Sequence, residues 1–300
     1  MIFAAEEGTM TVLVVGATGS VGVHTITALL DRGAEVRALV RGPARAAALP
    51  AGVTPVLGDL RDEASVTAAL TGVTAALYTT PHDPDEERLA ETFAGACERL
   101  GTRLVFCGVY AAGLRRLVYE LFLPHYRGKV RIGARMRRSP VCDVVLAPTN
   151  FYQNDEIIKS DILAGRYPLP FHRRGVNRVD LRDVGEVLAR ALTDPGFPAV
   201  TGTLAGPASI SGDEAARTWA DALGRPIDYQ DEESAWLPAL SRGISGQKLR
   251  DFHRTYRLLS RIPVPTSPKD VTLITGLLGR PPRAYADYVR DAAAEWTTTP

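Results

Sequence analysis

Along the first half of the chain, short continuous apolar blocks take turns with stretches of helical period. TVLVV (11–15) is β-branched and apolar throughout, as a strand covered on both faces should be. From 21 to 31 apolar side chains fall at Val21, Ile26, Leu29 and Leu30, a helical stripe that Gly33 stops. EVRALV (35–40) predicts the next strand, 43–49 a short helix, and VTPVL (53–57) a third strand. Asp62 opens an amphipathic helix ending at Gly72, and TAALY (74–78) predicts a fourth strand. A helix over 85–100 has acids at its start and Gly101 after its end, a charge order that suits its dipole. RLVFC (103–107) and CDVVLA (142–147) predict two further strands, with a basic helix at about 126–138 between them.

This alternation predicts an α/β fold, a doubly wound parallel sheet with helices on both faces. Ligands of such sheets bind outside the carboxyl ends of the strands, where the strand order reverses. After residue 150 the regularity breaks, with Pro and Gly clustered in 165–170 and 196–207. A strand followed by a helix is expected over 179–194, an edge strand at 201–204, a helix over 214–224, and helices with loops from 231 onward. The expected organisation is a core at 11–150 completed by about 177–206, with a smaller, interleaved α+β cap region from 151–176 and 207–300. Residues 1–10 read as a flexible lead, with Met10 a candidate start.

Between the first strand and the first helix stands GATGSVG, with Gly16, Gly19 and Gly22 at spacing three. Glycine permits a tight turn at positive φ and lets backbone N–H groups approach a pyrophosphate at a helix N-terminus, where the dipole favours an anion. Gly16 is expected to make the turn, Gly19 the close approach and Gly22 the packing of helix on strand, with Thr18, Ser20 and Val21 lining the same loop. The core is therefore read as a Rossmann, dinucleotide-binding unit. An NAD site wants an acid at the end of the second strand, but Glu35 stands at its beginning. The end reads LVRGPAR, and the forks of Arg41 and Arg45 suit a 2′-phosphate, so NADP(H) is favoured over NAD(H). Asp59 and Leu60 after the third strand are candidates for the adenine edge, and Thr79, Thr80 and Pro81 for the nicotinamide-side ribose.

Composition narrows the classes. A net charge of +1 offers no global field for nucleic acid or an anionic membrane. The basic run 127–138 spreads around its helix with no interleaved aromatics, as a solvated helix does, so no nucleic-acid partner is expected. No apolar run reaches the length of a transmembrane helix. Cys97, Cys107 and Cys142 show no metal or redox spacing; no metal is expected, and a reduced, cytoplasmic setting fits.

The chain resembles the NmrA-like group of atypical short-chain dehydrogenases/reductases. The resemblance rests on VLVVGATGSVG, VRALVR, VTPVLGDLRDEAS, KVRIGARMRRSPVCDVVLAPTNFYQN, VDLRDVGEVLARALTDP, GPASISGDEAARTWADALGRP and GRPPRAYADYV, in order from residue 11. It implies an NAD(P)-binding fold and either NADP(H)-dependent reductases or nucleotide-sensing regulators without catalysis. In many members of the superfamily a Ser and a Tyr-x-x-x-Lys pair supply the proton for the developing alkoxide. Here the lysine's counterpart is Lys129, by register with Ser139 and Pro148; His125 stands where the Tyr would, Tyr126 is one position off, and Gly108 and Val109 replace the serines.

Three acids remain open. Lys129 is both a ribose ligand and a candidate acid, as in the isoflavone-reductase-like relatives, if burial beside a cationic neighbour tunes it. His125 titrates near neutrality. Tyr110 follows the fifth strand, next to the cofactor candidate Gly108. Phe151, Tyr152, Phe171 and His172, with Trp236, are expected to wall an apolar substrate pocket, Phe151 also touching the cofactor. The leading expectation is an NADPH-dependent reductase of a small carbonyl, quinone or enone-like substrate. The alternatives are a non-catalytic NADP(H)-sensing regulator with a protein partner, or a redox-neutral catalyst on the same scaffold.

Overall fold

The computed structural model describes residues 10–81, 83–111, 121, 123 and 126–298. The expected lead at 1–9 and the candidate His125 lie outside the described residues. The described residues divide into two compact units. Unit 1 takes those within Met1–Tyr110, Gly128–Leu146 and Val184–Thr201; unit 2 takes those within Ala111–Arg127, Ala147–Asp183 and Gly202–Pro300.

Unit 1 begins with β1 (Thr11–Val15), α1 (Ser20–Asp31), β2 (Glu35–Val40), α2 (Pro43–Ala46), β3 (Val53–Leu57) and α3 (Glu63–Leu70). It continues through β4 (Ala75–Thr79), α4 (Glu86–Leu100), β5 (Arg103–Cys107), α5 (Arg127–Met136) and β6 (Val144–Pro148). Local rules explain most boundaries. The Asp62 side chain accepts from the Ala64 N–H and caps α3, two Glu residues stand in the first turn of α4, and Gly101 closes α4 at φ 65°. Among the described residues the main sheet runs β10-β6-β5-β4-β1-β2-β3, where β10 is Val200–Leu204. The sheet is parallel. Its order reverses between β1 and β4, so the carboxyl ends of those two strands flank the place where such folds bind ligands. β3 lies at the open edge and carries Pro55, which an edge strand tolerates. A buried cluster including Leu13, Tyr78, Phe93, Phe106, Ile132 and Met136 packs the strands against α4 and α5, with the Tyr78 and Phe93 rings 5.2 Å apart.

Unit 2 contains elements that alternation did not predict. After β7 (Asn150–Phe151) come a 3-10 helix (Tyr152–Ile158), α6 (Lys159–Leu163) and β8 (Arg166–Tyr167). β9 (Val176–Val179) pairs with β7 and with β11 (Ser209–Ile210) in a small sheet. α7 (Leu181–Thr193) follows β9, and its residues from Val184 fall in unit 1. Then come α8 (Gly212–Leu223), β12 (Asp228–Tyr229), α9 (Glu233–Gly243), α10 (Gly246–Leu259), α11 (Pro268–Leu278) and α12 (Tyr285–Thr298). Ser211 and Glu214 form a reciprocal capping box on α8. The core of the unit is aromatic, and the Trp219 and Trp296 rings stack with centroids 4.7 Å apart.

Candidate functional site

The turn after β1 shows why glycine stands at each position. Gly16 has φ +82°, and a Cβ there would lie 2.0 Å from Thr79 Oγ1. That hydroxyl donates to the Val15 carbonyl at 3.0 Å, tying β4 to β1 at their carboxyl ends. Gly19 precedes α1 as its N-cap in extended backbone and offers no side chain to the first turn. A Cβ on Gly22 would fall 2.2 Å from the Gly16 carbonyl oxygen and 2.9 Å from Ala17 Cα, so Gly22 packs on the turn itself. Thr18, Gly19 and Ser20 are exposed, Val21 is half-buried and Gly22 is buried. The first-turn N–H groups of a twelve-residue helix thus face a loop open to solvent, with no side-chain cap competing for them. This arrangement fits a pyrophosphate.

On one flank lie the ends of β2 and β3. Arg41 is exposed and makes no hydrogen bond or ion pair among the described residues. Arg45 Nη1 donates to Thr18 Oγ1 at 3.2 Å, which draws α2 toward the glycine turn. The Asp59 N–H donates to Ser65 Oγ at 3.1 Å, and Asp59 Oδ1 accepts from the Arg61 N–H at 2.9 Å; Leu60 is half-buried. Arg61 also grips both oxygens of Asp83 at 2.7 Å. The Asp85 backbone N–H and the Arg61 guanidinium hold the Asp83 carboxyl below the usual carboxylate range, and the Arg41 charge adds to this. No local signal in the sequence marks Arg61 and Asp83 as partners, although they follow β3 and β4 by only four residues each.

On the other flank are the tips of β4 and β5. Thr80 Oγ1 is buried and has no hydrogen-bond partner among the described residues, and Pro81 is half-buried beside it in sequence. A Cβ on Gly108 would meet the Phe106 ring at 2.6 Å and Thr80 Oγ1 at 3.2 Å, so no serine fits there without rearrangement. Tyr110 is half-buried and packs against the core cluster of unit 1. α5 comes close to this loop through Gly133, where a Cβ would sit 2.4 Å from the Val109 carbonyl oxygen. Lys129 lies one turn earlier on the same face. Its Nζ donates to Glu86 Oε2 at 2.6 Å, with both side chains mostly buried. The expected cationic neighbour is thus replaced by a carboxylate.

The basic run also differs from a merely solvated helix. Arg131 forks onto Glu87, and Arg135 forks onto Glu91 and Glu98, so α5 is neutralised along one side by the acids of α4. Glu98 also accepts from Ser139 Oγ at 2.6 Å.

In unit 2, Phe151 is half-buried and its carbonyl accepts from Arg178 Nη2 at 2.7 Å. Tyr152, Phe171 and Trp236 were expected to wall a pocket, but they are buried in the aromatic core of the unit. The reason is Arg178: its guanidinium is fully buried and lies 5.7 Å and 5.1 Å from the Tyr152 and Phe171 ring centroids. His172 is half-buried, and its Nδ1 accepts from the Arg174 N–H at 3.1 Å. The three cysteines are free and buried, and burial pushes each thiol up to about 12. Among the described residues no acidic, His or Cys cluster could hold a metal, and no helix is long and apolar enough to cross a membrane.

A family model described as NAD(P)H-binding matches residues 16–195. An NAD(P)H azoreductase of Xenophilus azovorans is 28% identical over 294 residues, covering 94% of this chain and 98% of the relative. An Escherichia coli NADPH-dependent quinone oxidoreductase, solved in complex with NADPH, is similar with TM-score 0.74 at 19% identity over 94% of this chain and 99% of its own. NmrA, a negative transcriptional regulator, is similar with TM-score 0.70 at 16% identity over 96% and 97%. The two structural likenesses show the fold.

Proposed function

The chain belongs to the NAD(P)H-binding family, and on that premise we propose that it is an NADPH-dependent reductase of a small carbonyl, quinone or enone-like acceptor. The observation that carries this reading is the open N-terminus of α1 with no side-chain cap, above a turn that admits no Cβ at Gly16 or Gly22, flanked by Arg41, which is unpaired among the described residues. The Gly19 N–H closes the turn on the Gly16 carbonyl at 2.9 Å, and the backbone N–H groups of Ser20, Val21 and Gly22 would hold the pyrophosphate, with the Thr18 and Ser20 side chains at its edge. Arg41 would take the 2′-phosphate, with Arg45 behind it, and Asp59 and Leu60 would border the adenine. Thr79, Thr80, Pro81, Gly108 and Lys129 would line the nicotinamide side within unit 1.

When bound, the reduced dinucleotide supplies a hydride to the acceptor. The acceptor then needs one proton, and we assign it to Lys129 Nζ for its place beside the loop after β5, not for tuning by a cation, since its neighbour is the Glu86 carboxylate; Nζ regains the proton from water. Lys129 is favoured over Tyr110 because Tyr110 packs into the core of unit 1; His125 remains a candidate from the sequence. Phe151 and His172, both in unit 2, stay candidates for the substrate side on the sequence alone. The azoreductase and quinone oxidoreductase activities of the two similar proteins support this class of chemistry.

The test is titration with NADPH and NADH by fluorescence, followed by NADPH oxidation on a panel of quinones, azo dyes and aromatic ketones. Arg41→Ala should weaken NADPH by roughly tenfold or more while leaving NADH nearly unchanged, since a charge-assisted hydrogen bond is worth about 1.5–3 kcal/mol. Equal losses for both would remove Arg41 from the 2′-phosphate. Lys129→Ala should abolish turnover without unfolding the chain, and a wild-type rate would remove Lys129 from the mechanism. NADPH binding with no acceptor consumed would instead favour the sensor reading, which the missing Ser and Tyr support.

A further inference from the structure

We propose that Glu86, given room by Gly128, is the positioning residue that holds the Lys129 ammonium at the carboxyl edge of the sheet. The inference rests on the reading of Lys129 as the proton donor. Of the 35 cationic residues in the chain only four are lysines: Lys129, Lys159, Lys248 and Lys269. Arginine cannot release a proton in a protein, whereas lysine can. Of the described ion pairs that Lys129, Arg131 and Arg135 of α5 make with α4, the lysine's is the most shielded. Lys129 and Glu86 side chains are 13% and 15% exposed, against 62% and 47% for Arg131 and Glu87.

The geometry is specific. Glu86 opens α4, so its backbone is set by the helix start that follows β4. Its Oε2 accepts from Lys129 Nζ at 2.6 Å. A Cβ on Gly128 would lie 2.5 Å from its other oxygen, Oε1, and 3.3 Å from Glu87 Oε1. Any side chain at 128 would therefore push the carboxylate off its place. Gly128 is in the first turn of α5, where the helix dipole favours a negative group. A free lysine has four rotatable bonds and samples many positions; the carboxylate restricts Nζ to one. The face of α5 that bears Lys129 also packs on the loop after β5 through Gly133, so that position is at the mouth of the strand ends.

The experiment uses the full chain as wild type, Glu86→Gln, Gly128→Ala and Lys129→Ala. Wild type, Glu86→Gln and Gly128→Ala are acetylated briefly with an amine-directed reagent and their four lysine peptides compared by mass spectrometry, with Lys159, Lys248 and Lys269 as internal standards; Lys129→Ala serves the turnover comparison. An ammonium held by a shielded carboxylate reacts slowly. Glu86→Gln and Gly128→Ala should each raise Lys129 labelling at least threefold relative to the standards. Gly128→Ala should leave the melting temperature unchanged or higher, because alanine favours a helix over glycine. With any acceptor that is turned over, both variants should lower kcat at least tenfold with KM within about twofold, and Glu86→Asp should recover part of kcat. Unchanged Lys129 labelling in both variants overturns the proposal. If Lys129→Ala is inactive while Glu86→Gln and Gly128→Ala keep wild-type kcat and labelling, only the role of Glu86 falls. If Lys129→Ala turns over normally, the proton-donor reading falls, and the positioning role falls with it.

Discussion

In unit 1 the Arg131 guanidinium meets Glu87 at 2.8 Å with both side chains about half exposed, whereas in unit 2 that of Arg178 meets Asp155 at 2.7 Å with neither exposed. The distances are alike and the surroundings are opposite. Arg131 and Glu87 keep much of their hydration, so their attraction is screened and adds little. Arg178 and Asp155 have none, and every remaining polar atom must find a partner. Asp155 accepts from Tyr167 OH at 3.0 Å and Trp219 Nε1 at 3.0 Å, and also from Tyr285 OH. Arg178 donates to Asn150 Oδ1 and to the carbonyls of Phe151 and Tyr152, and so anchors the segment following β6. The surface ladder makes one helix compatible with another; the buried node determines how an aromatic core is arranged.

Removing one partner of the node should have the largest effect. Arg178→Ala should cost about 3–5 kcal/mol, because it leaves the Asp155 charge buried without its cation. Denaturant melts would show it, and a loss under about 1 kcal/mol would mean that water reaches Asp155.

Arg135→Ala should fall between the extremes, at about 1 kcal/mol, since Arg135 pairs with both Glu91 and Glu98 at partial exposure. Its pH dependence has a definite sign. The bonds from Arg135 and then Ser139 lower the Glu98 pKa in the folded protein. The resulting stability is present above the unfolded carboxylate pKa and is lost as pH falls through the folded one. The gap between the melting temperatures of wild type and Arg135→Ala should therefore start to narrow as pH falls below about 4 and close only once pH is below the lowered folded value of Glu98. A gap that persists there would assign the effect to packing of the arginine stem.

The smallest effect belongs to Arg131→Ala, at about 0.5 kcal/mol or less, and it should vanish in molar salt. A salt-insensitive loss would show that this pair is not the solvated kind.

Much of unit 1 was legible because its signals are local. Gly33 and Gly101 stop helices through positive φ, Asp62 caps through its own carboxylate, and five-residue β-branched runs can hardly be anything but buried strands. The glycine turn was legible for the same reason, since each glycine answers to atoms a few residues away or to the adjacent strand. The partner of Lys129 was not, because Glu86 is 43 residues distant and the helix over 85–100 showed only that its acids suit a dipole. The aromatics of unit 2 carried no local signal distinguishing a pocket wall from a core.

By itself the sequence determined the order of strands and helices in unit 1, the glycine-cleared helix start and the arginines beyond β2, since period, turn chemistry and capping act within a few residues. Only the tertiary structure decided that Lys129 faces a carboxylate, that the basic helix is neutralised by α4, and that Arg178 is buried with Tyr152 and Phe171 around it. Those outcomes depend on which groups lose water together, and desolvation belongs to the assembled fold.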